Sequence, residues 1–382
     1  MSHKFIPYGR QYIDEEDINA VIDVLKSDFL TTGPKIREFE DVLANYVGAK
    51  YAVAISNGTA ALHAACFAAD IKEGDEVITS PITFAASANA VLYCGGKPIF
   101  ADINPKTYNI DPEDIKRKIT DKTKAIIPVH YTGQPCDMDK ILQIADENGL
   151  IVIEDGAHAL GGEYKDKKIG SIGDMTTFSF HPVKHITTGE GGAITTNNKE
   201  LYERLIMFRT HGITRDSDKL INDDTPWYYE QHYLGFNYRM TDIQATLGIS
   251  QMKKVNAFLK KRREIAEIYN EELRSIDGVV IPHQLENTNS AWHLYVIKLE
   301  LEKIKIGRRK IFEELRKRNI GVNVHYIPVY YHPYYQDLGY SKGLCPNAEK
   351  LYEAIITLPL YPMMTKDDIK YIVNSLKEIV DI

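Results

Sequence analysis

No stretch of this chain approaches the roughly 20 consecutive apolar residues that a membrane-spanning helix needs. The opening Met1-Ser2-His3-Lys4-Phe5 holds no apolar signal core, so a cytoplasmic setting is expected. Cysteine is scarce, with Cys66, Cys94, Cys136 and Cys345 far apart and forming no Cys-x-x-Cys pair. They read as buried free thiols in a reducing compartment. Runs of positive charge are lacking too. A formal net charge of -7 without long blocks argues against nucleic acid as the main partner, although a nucleotide needs only a few local donors. The 12 histidines are scattered, with no His-x-x-x-His on a helix and no Cys/His cluster at ligand spacing, so no metal site is expected. Internal repeats and low-complexity segments are absent as well.

What is present is an ordinary globular composition, 44% hydrophobic and 26% charged, over 382 residues. That length suits one large domain and a smaller one. Over residues 1–250, short apolar runs alternate with helical patterns, the rhythm of an α/β domain with a mostly parallel sheet. Strands are expected at Tyr51–Ile55, Glu76–Ser80, Pro98–Ile103, Lys124–Val129, Leu150–Glu154, Met175–Phe180 and Gly192–Thr196. Helices are expected at Thr59–Ala69 and Met138–Asn148. Leu150–Glu154 is a nearly unbroken apolar run, as in a strand covered on both faces. From about Gln244 the texture changes. A long charged helix to about Ser275, a strand at Ala291–Leu299 and a helix at Gly307–Asn319 predict a small α+β domain over 251–382. Twenty-four tyrosines crowd toward the last third, where they read as an aromatic interface or pocket wall.

Four features converge on one ligand, each just past a predicted strand, where α/β sheets bind small molecules. Ser56-Asn57-Gly58-Thr59-Ala60-Ala61 opens a helix, whose free N–H groups and dipole make an anion site; an ordinary cap by Asn57 or Thr59 is the alternative. Asp155, followed by Gly156-Ala157-His158, could hold a pyridinium nitrogen protonated or simply cap a turn. Phe178-Ser179-Phe180-His181-Pro182-Val183-Lys184 places a lysine 29 positions after Asp155, before the turn-forming Gly189 and Gly191-Gly192. In a neutral wall such a lysine has a depressed pKa and forms imines. Phe84, in Pro81-Ile82-Thr83-Phe84-Ala85-Ala86, could stack on a flat ring or pack in the core.

With these residues in place, the chain resembles the DegT/DnrJ/EryC1/StrS family of nucleotide-sugar aminotransferases. The likeness runs over nearly the whole length, through SNGTAALHAA, PITFAASANA, EDGAHALGG, FSFHPVKHITTGEGG and GFNYRMTDIQA in that order. It implies a type I aminotransferase fold, pyridoxal phosphate (PLP) as cofactor, and a homodimer with shared sites. It further implies that Lys184 carries the cofactor as a Schiff base and that Asp155 pairs with its ring nitrogen. His158 would lie near the ring hydroxyl and Phe84 over the ring face. Thr59, Ala60 and Ser179 would hold the phosphate, joined by Asn237 of the second subunit. Related dehydratases carry histidine where Lys184 stands, so amino transfer is expected.

FIPYGRQYI, SDFLTTGP and HPVKHITTGEGG further resemble a subgroup that aminates C4 of a UDP-4-keto-6-deoxy-N-acetylhexosamine with L-glutamate. Its product is UDP-4-amino-4,6-dideoxy-N-acetyl-β-L-altrosamine, for pseudaminic acid synthesis. Tyr8, Asp28, Thr31, His181, His325 and Tyr326 are the candidate substrate contacts. For His325, a structural role is the competing reading. A perosamine-type or 4-amino-arabinose-type enzyme would keep every cofactor residue and change the sugar. A non-enzymatic regulator on the same fold would need a recognition element, and the sequence has no basic stripe to supply one.

Overall fold

The computed structural model describes residues 4–222 and 225–381. Met1 to His3, part of the opening segment read for a signal core, lie outside the described residues. Seven strands form the central sheet: β1 (Tyr51–Ile55), β2 (Glu76–Thr79), β3 (Lys97–Phe100), β4 (Thr123–Ile127), β5 (Ile151–Asp155), β6 (Met175–Ser179) and β7 (Gly192–Thr196). Their order is β1-β7-β6-β5-β4-β2-β3. Every pairing from β3 across to β6 is parallel, and β7 runs antiparallel to both β6 and β1. The architecture is therefore α/β with a mostly parallel sheet.

Alternation explains why these strands are apolar throughout. In β1, Ala52 and Ala54 enter the core beneath the helices Pro34–Val47, Met138–Asn148 and Asp242–Met252, while Val53 and Ile55 enter the core on the other face. The second of these cores is built on the alanine-rich helix Gly58–Ala68, eight of whose eleven residues are buried. Small side chains let that helix lie close against the sheet, and Gly58 has no room for a Cβ, which would fall 2.8 Å from Ser179 Cβ.

Three sequence expectations meet differences with physical causes. β3 stops at Phe100, because Asp102 turns away and its carboxylate accepts the N–H groups of Asn347 and Ala348, both at 2.9 Å. The single helix expected from Gln244 is two, Asp242–Met252 and Val255–Leu273. At Lys253 and Lys254 the ladder tightens to Lys253 N–H→Ser250 and Lys254 N–H→Gln251 bonds. There Lys254 turns its ammonium to Asp14 and Asp17. The strand expected from Ala291 begins only at Tyr295. Trp292 has φ +47°, and Ala291 and His293 donate to the carbonyls of Gly133 and Thr132 instead of to a sheet.

Val279–Val280, Tyr295–Leu299 and Ile355–Leu358 make a small antiparallel sheet over a core of its own, with helices Arg308–Lys317 and Lys366–Val380. The helix Val255–Leu273 serves both units. Val255 and Leu259 pack under the main sheet, whereas Ile265, Ala266, Tyr269 and Leu273 belong to the second core. The tyrosine-rich segment is an internal interface. Tyr335 donates to Asn89 Oδ1 and Tyr340 to Pro98 O, both at 2.6 Å, and Phe100 packs among Tyr330, Tyr335 and Tyr340. All four cysteines are free thiols, with Cys94 only half-buried. Among the described residues no helix is long and apolar enough to cross a membrane.

Candidate active site

The carboxyl ends of β1, β2, β5 and β6 open into one cavity of about 810 Å³. Its wall contains Thr59, Phe84, Asp155, His158, Ser179 and Lys184, together with Tyr8, His181, His325 and Tyr326.

At the end of β1, Asn57 Oδ1 accepts the N–H of Ala60 at 2.8 Å and caps the helix Gly58–Ala68. Ala60 is thereby buried behind the wall with its N–H satisfied. The N–H groups of Gly58 and Thr59 find no acceptor among the described residues, and the Ser179 side chain stands against Gly58. Two free donors, two hydroxyls and a helix dipole make a cradle for a dianionic phosphate.

β5 ends at Asp155, which is buried. Its Oδ2 accepts from Ser87 Oγ at 2.6 Å and its Oδ1 from the Ala157 N–H at 3.1 Å. After β6, the chain turns through His181–Lys184, with Lys184 N–H donating to His181 O. Thr188 N–H donates to Phe180 O and Phe180 N–H to Gly191 O, closing the loop; Gly189, at φ +79°, makes its reversal. Lys184 is thus presented from a braced loop. Burial pushes its ammonium pKa down to about 8; the Asp155 charge opposes that shift and Arg262 adds to it.

The surroundings of Lys184 are rich in imidazole, and each ring is held neutral. Burial pushes His158, His185 and His293 well below the usual histidine range, and His325 down to about 4. His158 Nε2 lies 3.0 Å from the Tyr326 hydroxyl, while its Nδ1 has no partner. Phe84 is 64% exposed, so it is not a core residue; its ring stands at the mouth, 6.4 Å from that of Tyr326. His181 is exposed on the rim. His325 hydrogen-bonds Thr357 Oγ1 at 2.9 Å and packs 5.3 Å from the Tyr8 ring.

Besides Ala60, three residues singled out in the sequence do not reach the cavity of their own chain. Asp28 borders a separate hollow of about 420 Å³, and Thr31 bridges to Thr241. The Asp242 carboxylate holds that segment through the N–H groups of Gly33 and Lys35, at 2.8 and 2.9 Å. Asn237 bridges to Thr210. The sequence reading also passed over Ser87, Asn323 and Glu190, which line the cavity. Ser87 lies within PITFAASANA, three positions after Phe84 and on the first turn of the helix Ala86–Tyr93, with no sequence pattern that sets it apart.

A flat group with a phosphate at one end, a basic ring nitrogen at the other and an aldehyde between them matches the cradle, Asp155 and Lys184 together. The fold is that of a type I PLP-dependent aminotransferase. The chain belongs to the DegT/DnrJ/EryC1/StrS aminotransferase family, whose model matches residues 11–377. It is 43% identical to the Bacillus subtilis spore coat polysaccharide biosynthesis protein SpsC, over 98% of this chain and 97% of that one. It is 38% identical to the Campylobacter jejuni UDP-4-amino-4,6-dideoxy-N-acetyl-β-L-altrosamine transaminase, over 98% of both chains. Among solved structures it is similar to Helicobacter pylori PseC, an aminotransferase of pseudaminic acid biosynthesis (33% identity, 99% and 100% covered, TM-score 0.92). The PLP form of Spr1654 from Streptococcus pneumoniae is also similar (32% identity, 99% of both chains, TM-score 0.91). The protein is a sugar aminotransferase that uses PLP.

Proposed function

We propose that the enzyme transfers the amino group of L-glutamate to C4 of a UDP-4-keto-6-deoxy-N-acetylhexosamine, giving UDP-4-amino-4,6-dideoxy-N-acetyl-β-L-altrosamine for pseudaminic acid synthesis in the cytoplasm. The observation that carries this reading is the full-length similarity to the C. jejuni transaminase of that product. PLP supplies, when bound, an aldehyde that exchanges with amines and a ring that takes up electron density. In this reading the Gly58 and Thr59 N–H groups, with the Thr59 and Ser179 hydroxyls, bind the phosphate. Asp155 would keep the ring nitrogen protonated, His158 with its unpartnered Nδ1 would lie near the ring hydroxyl, and Phe84 would cover the ring. Lys184 Nζ, a free base more often than an ordinary lysine, would take up and release the proton that the amino transfer moves. Tyr8, His181, His325 and Tyr326 face the sugar nucleotide.

In the same reading the working unit is a homodimer. Asn237 follows the exposed Leu234 and Phe236 in sequence, and Thr31 follows the exposed Phe29 and Leu30. Apolar surface of this kind favours a second copy as its cover. That copy would bring Asn237 to the partner's phosphate cradle, and Asp28 and Thr31 to its mouth.

The greater identity to SpsC favours a second reading, amination of another nucleotide sugar for a surface polysaccharide. Purified enzyme should show a visible absorbance band that shifts toward the ultraviolet on adding L-glutamate. Regeneration of the band by the UDP-4-keto-6-deoxy-N-acetylhexosamine, and not by perosamine-type or 4-amino-arabinose-type keto-sugars, supports the first reading. The opposite selectivity supports the second.

A further inference from the structure

Asp155 is held by a directed pair of hydroxyls. Ser87 Oγ lies 2.6 Å from Asp155 Oδ2 and 2.8 Å from Thr83 Oγ1, and all three side chains are buried. Either hydroxyl of the Thr83–Ser87 pair is able to donate, but proton counting selects one direction. An ionised carboxylate only accepts, and a serine hydroxyl has one proton. That proton goes to Asp155, since the alternative acceptor, Phe84 O, lies at 3.4 Å. Thr83 therefore donates to Ser87. The Thr83→Ser87→Asp155 chain polarises in one sense and strengthens its last bond.

The placement adds to this. Ser87 sits in the first turn of the helix Ala86–Tyr93, which brings the positive end of that helix to the carboxylate. Ala157 N–H takes Oδ1 from the opposite side. Each oxygen thus carries one fixed donor, and together the two donors set the plane of the carboxylate. Phe84 leads into the same turn, so the strap that carries the ring-covering aromatic also carries the groups that orient the acid.

We propose that Ser87, oriented by Thr83, is the positioning residue for Asp155, fixing the carboxylate in the orientation that receives the ring nitrogen of PLP. This rests on the role of Asp155 in the proposed function.

The test is titration of apo-protein with PLP, followed by fluorescence and by the visible band, for wild type, Ser87→Ala, Ser87→Thr and Thr83→Val. Thermal melting of the apo-proteins is measured in parallel. Ser87→Ala should weaken PLP binding about 10-fold or more, the effect of losing one charge-assisted hydrogen bond, and move the visible band. It should lower kcat with little change in KM for the sugar. Ser87→Thr, which keeps the hydroxyl, should restore affinity and band, and Thr83→Val should fall between. Ser87→Ala with wild-type affinity, band and kcat would overturn the assignment. So would Ser87→Thr failing to restore them while melting like wild type, since the effect would then be one of packing. A wild-type protein that binds no PLP would instead defeat the reading of the whole site.

Discussion

His130 donates its Nε2 proton to Glu154 Oε2 across 2.8 Å, with both side chains fully buried. The tautomer follows from the other ring nitrogen, since His130 Nδ1 accepts the Cys136 N–H. The second oxygen of Glu154 accepts from Gly173 N–H at 2.7 Å and Thr176 Oγ1 at 2.8 Å. Alternation along β5 sends Glu154 to one face of the sheet and Asp155 to the other. Adjacent carboxylates therefore do separate work, one tying β5 to its neighbours and one facing the cavity. Glu154→Ala leaves the buried donors of His130 and Thr176 and the half-buried Gly173 N–H unpaired and should cost about 3–5 kcal/mol, read as a large fall in Tm. The folded fraction should still bind PLP with wild-type stoichiometry. An unchanged Tm would show that the network carries no stability.

Lys184 should show its depressed pKa when the apo-protein is reloaded with PLP. With a pKa of about 8, roughly a tenth of it is free base at pH 7, against about 0.03% for an ordinary lysine. The reloading rate should climb through pH 8 and level off above it. The linkage has a definite sign. The unfolded chain keeps this proton up to the ordinary value of 10.5, so between 8 and 10.5 it binds more protons than the fold. Apo-protein stability should gain from this group as pH rises across that window, and Lys184→Ala should remove the gain. That variant should also lose turnover. Near-wild-type activity in it would end the assignment of Lys184.

Arg262 offers a separate check on the cause. Its Nη1 donates to the carbonyls of Trp292, His293 and Leu360, it is fully buried, and burial lowers its own pKa to about 9. Because its charge helps to depress Lys184, Arg262→Met should shift the reloading midpoint to higher pH in whatever fraction remains folded. A midpoint that stays in place would assign the depression to burial alone.

Gly58→Ala tests the phosphate cradle. The new Cβ would fall 2.8 Å from Ser179 Cβ, which is too short a side chain to move aside. The helix and β6 must separate, at about 1–3 kcal/mol, and PLP affinity should drop at least 10-fold. Calorimetry and PLP titration read the two effects, and an unaltered affinity would place the phosphate elsewhere.

Asn237→Ala tests the shared site. It should weaken PLP binding about 10-fold, as expected for one hydrogen bond to a charged group, while sedimentation still reports a dimer. Unchanged affinity in an intact dimer would remove Asn237 from the cradle.

The strands were legible because both faces of the sheet are covered. Apolar runs such as Leu150–Glu154 mark such strands whatever their neighbours are. Asp155 and Lys184 were legible because they follow such runs directly, in a family string with few alternatives. Ser87 was not, because its importance lies in a 2.6 Å contact across 68 positions, and a serine on a small-residue helix has no distinguishing pattern of its own. The false start of a strand at Ala291 has a similar origin. Ala291–Leu294 is apolar enough to pair in a sheet, but the loop at Thr132–Gly133 captures its donors first. For Phe84, sequence left stacking and core packing open, and its exposure at the mouth excludes the second.

By itself the sequence determined the order of the elements, the strand ends that bear chemistry, and the family of the enzyme. These depend on local pattern and on residues adjacent in the chain. Tertiary structure decided what depends on contacts between distant segments. It set the strand order, the division of the helix Val255–Leu273 between two cores, and the neutrality of the histidines beside Lys184. It also decided which cavity each candidate can reach. Burial and cross-chain hydrogen bonds fix all of these, and neither is a property of a residue until the chain has closed around it.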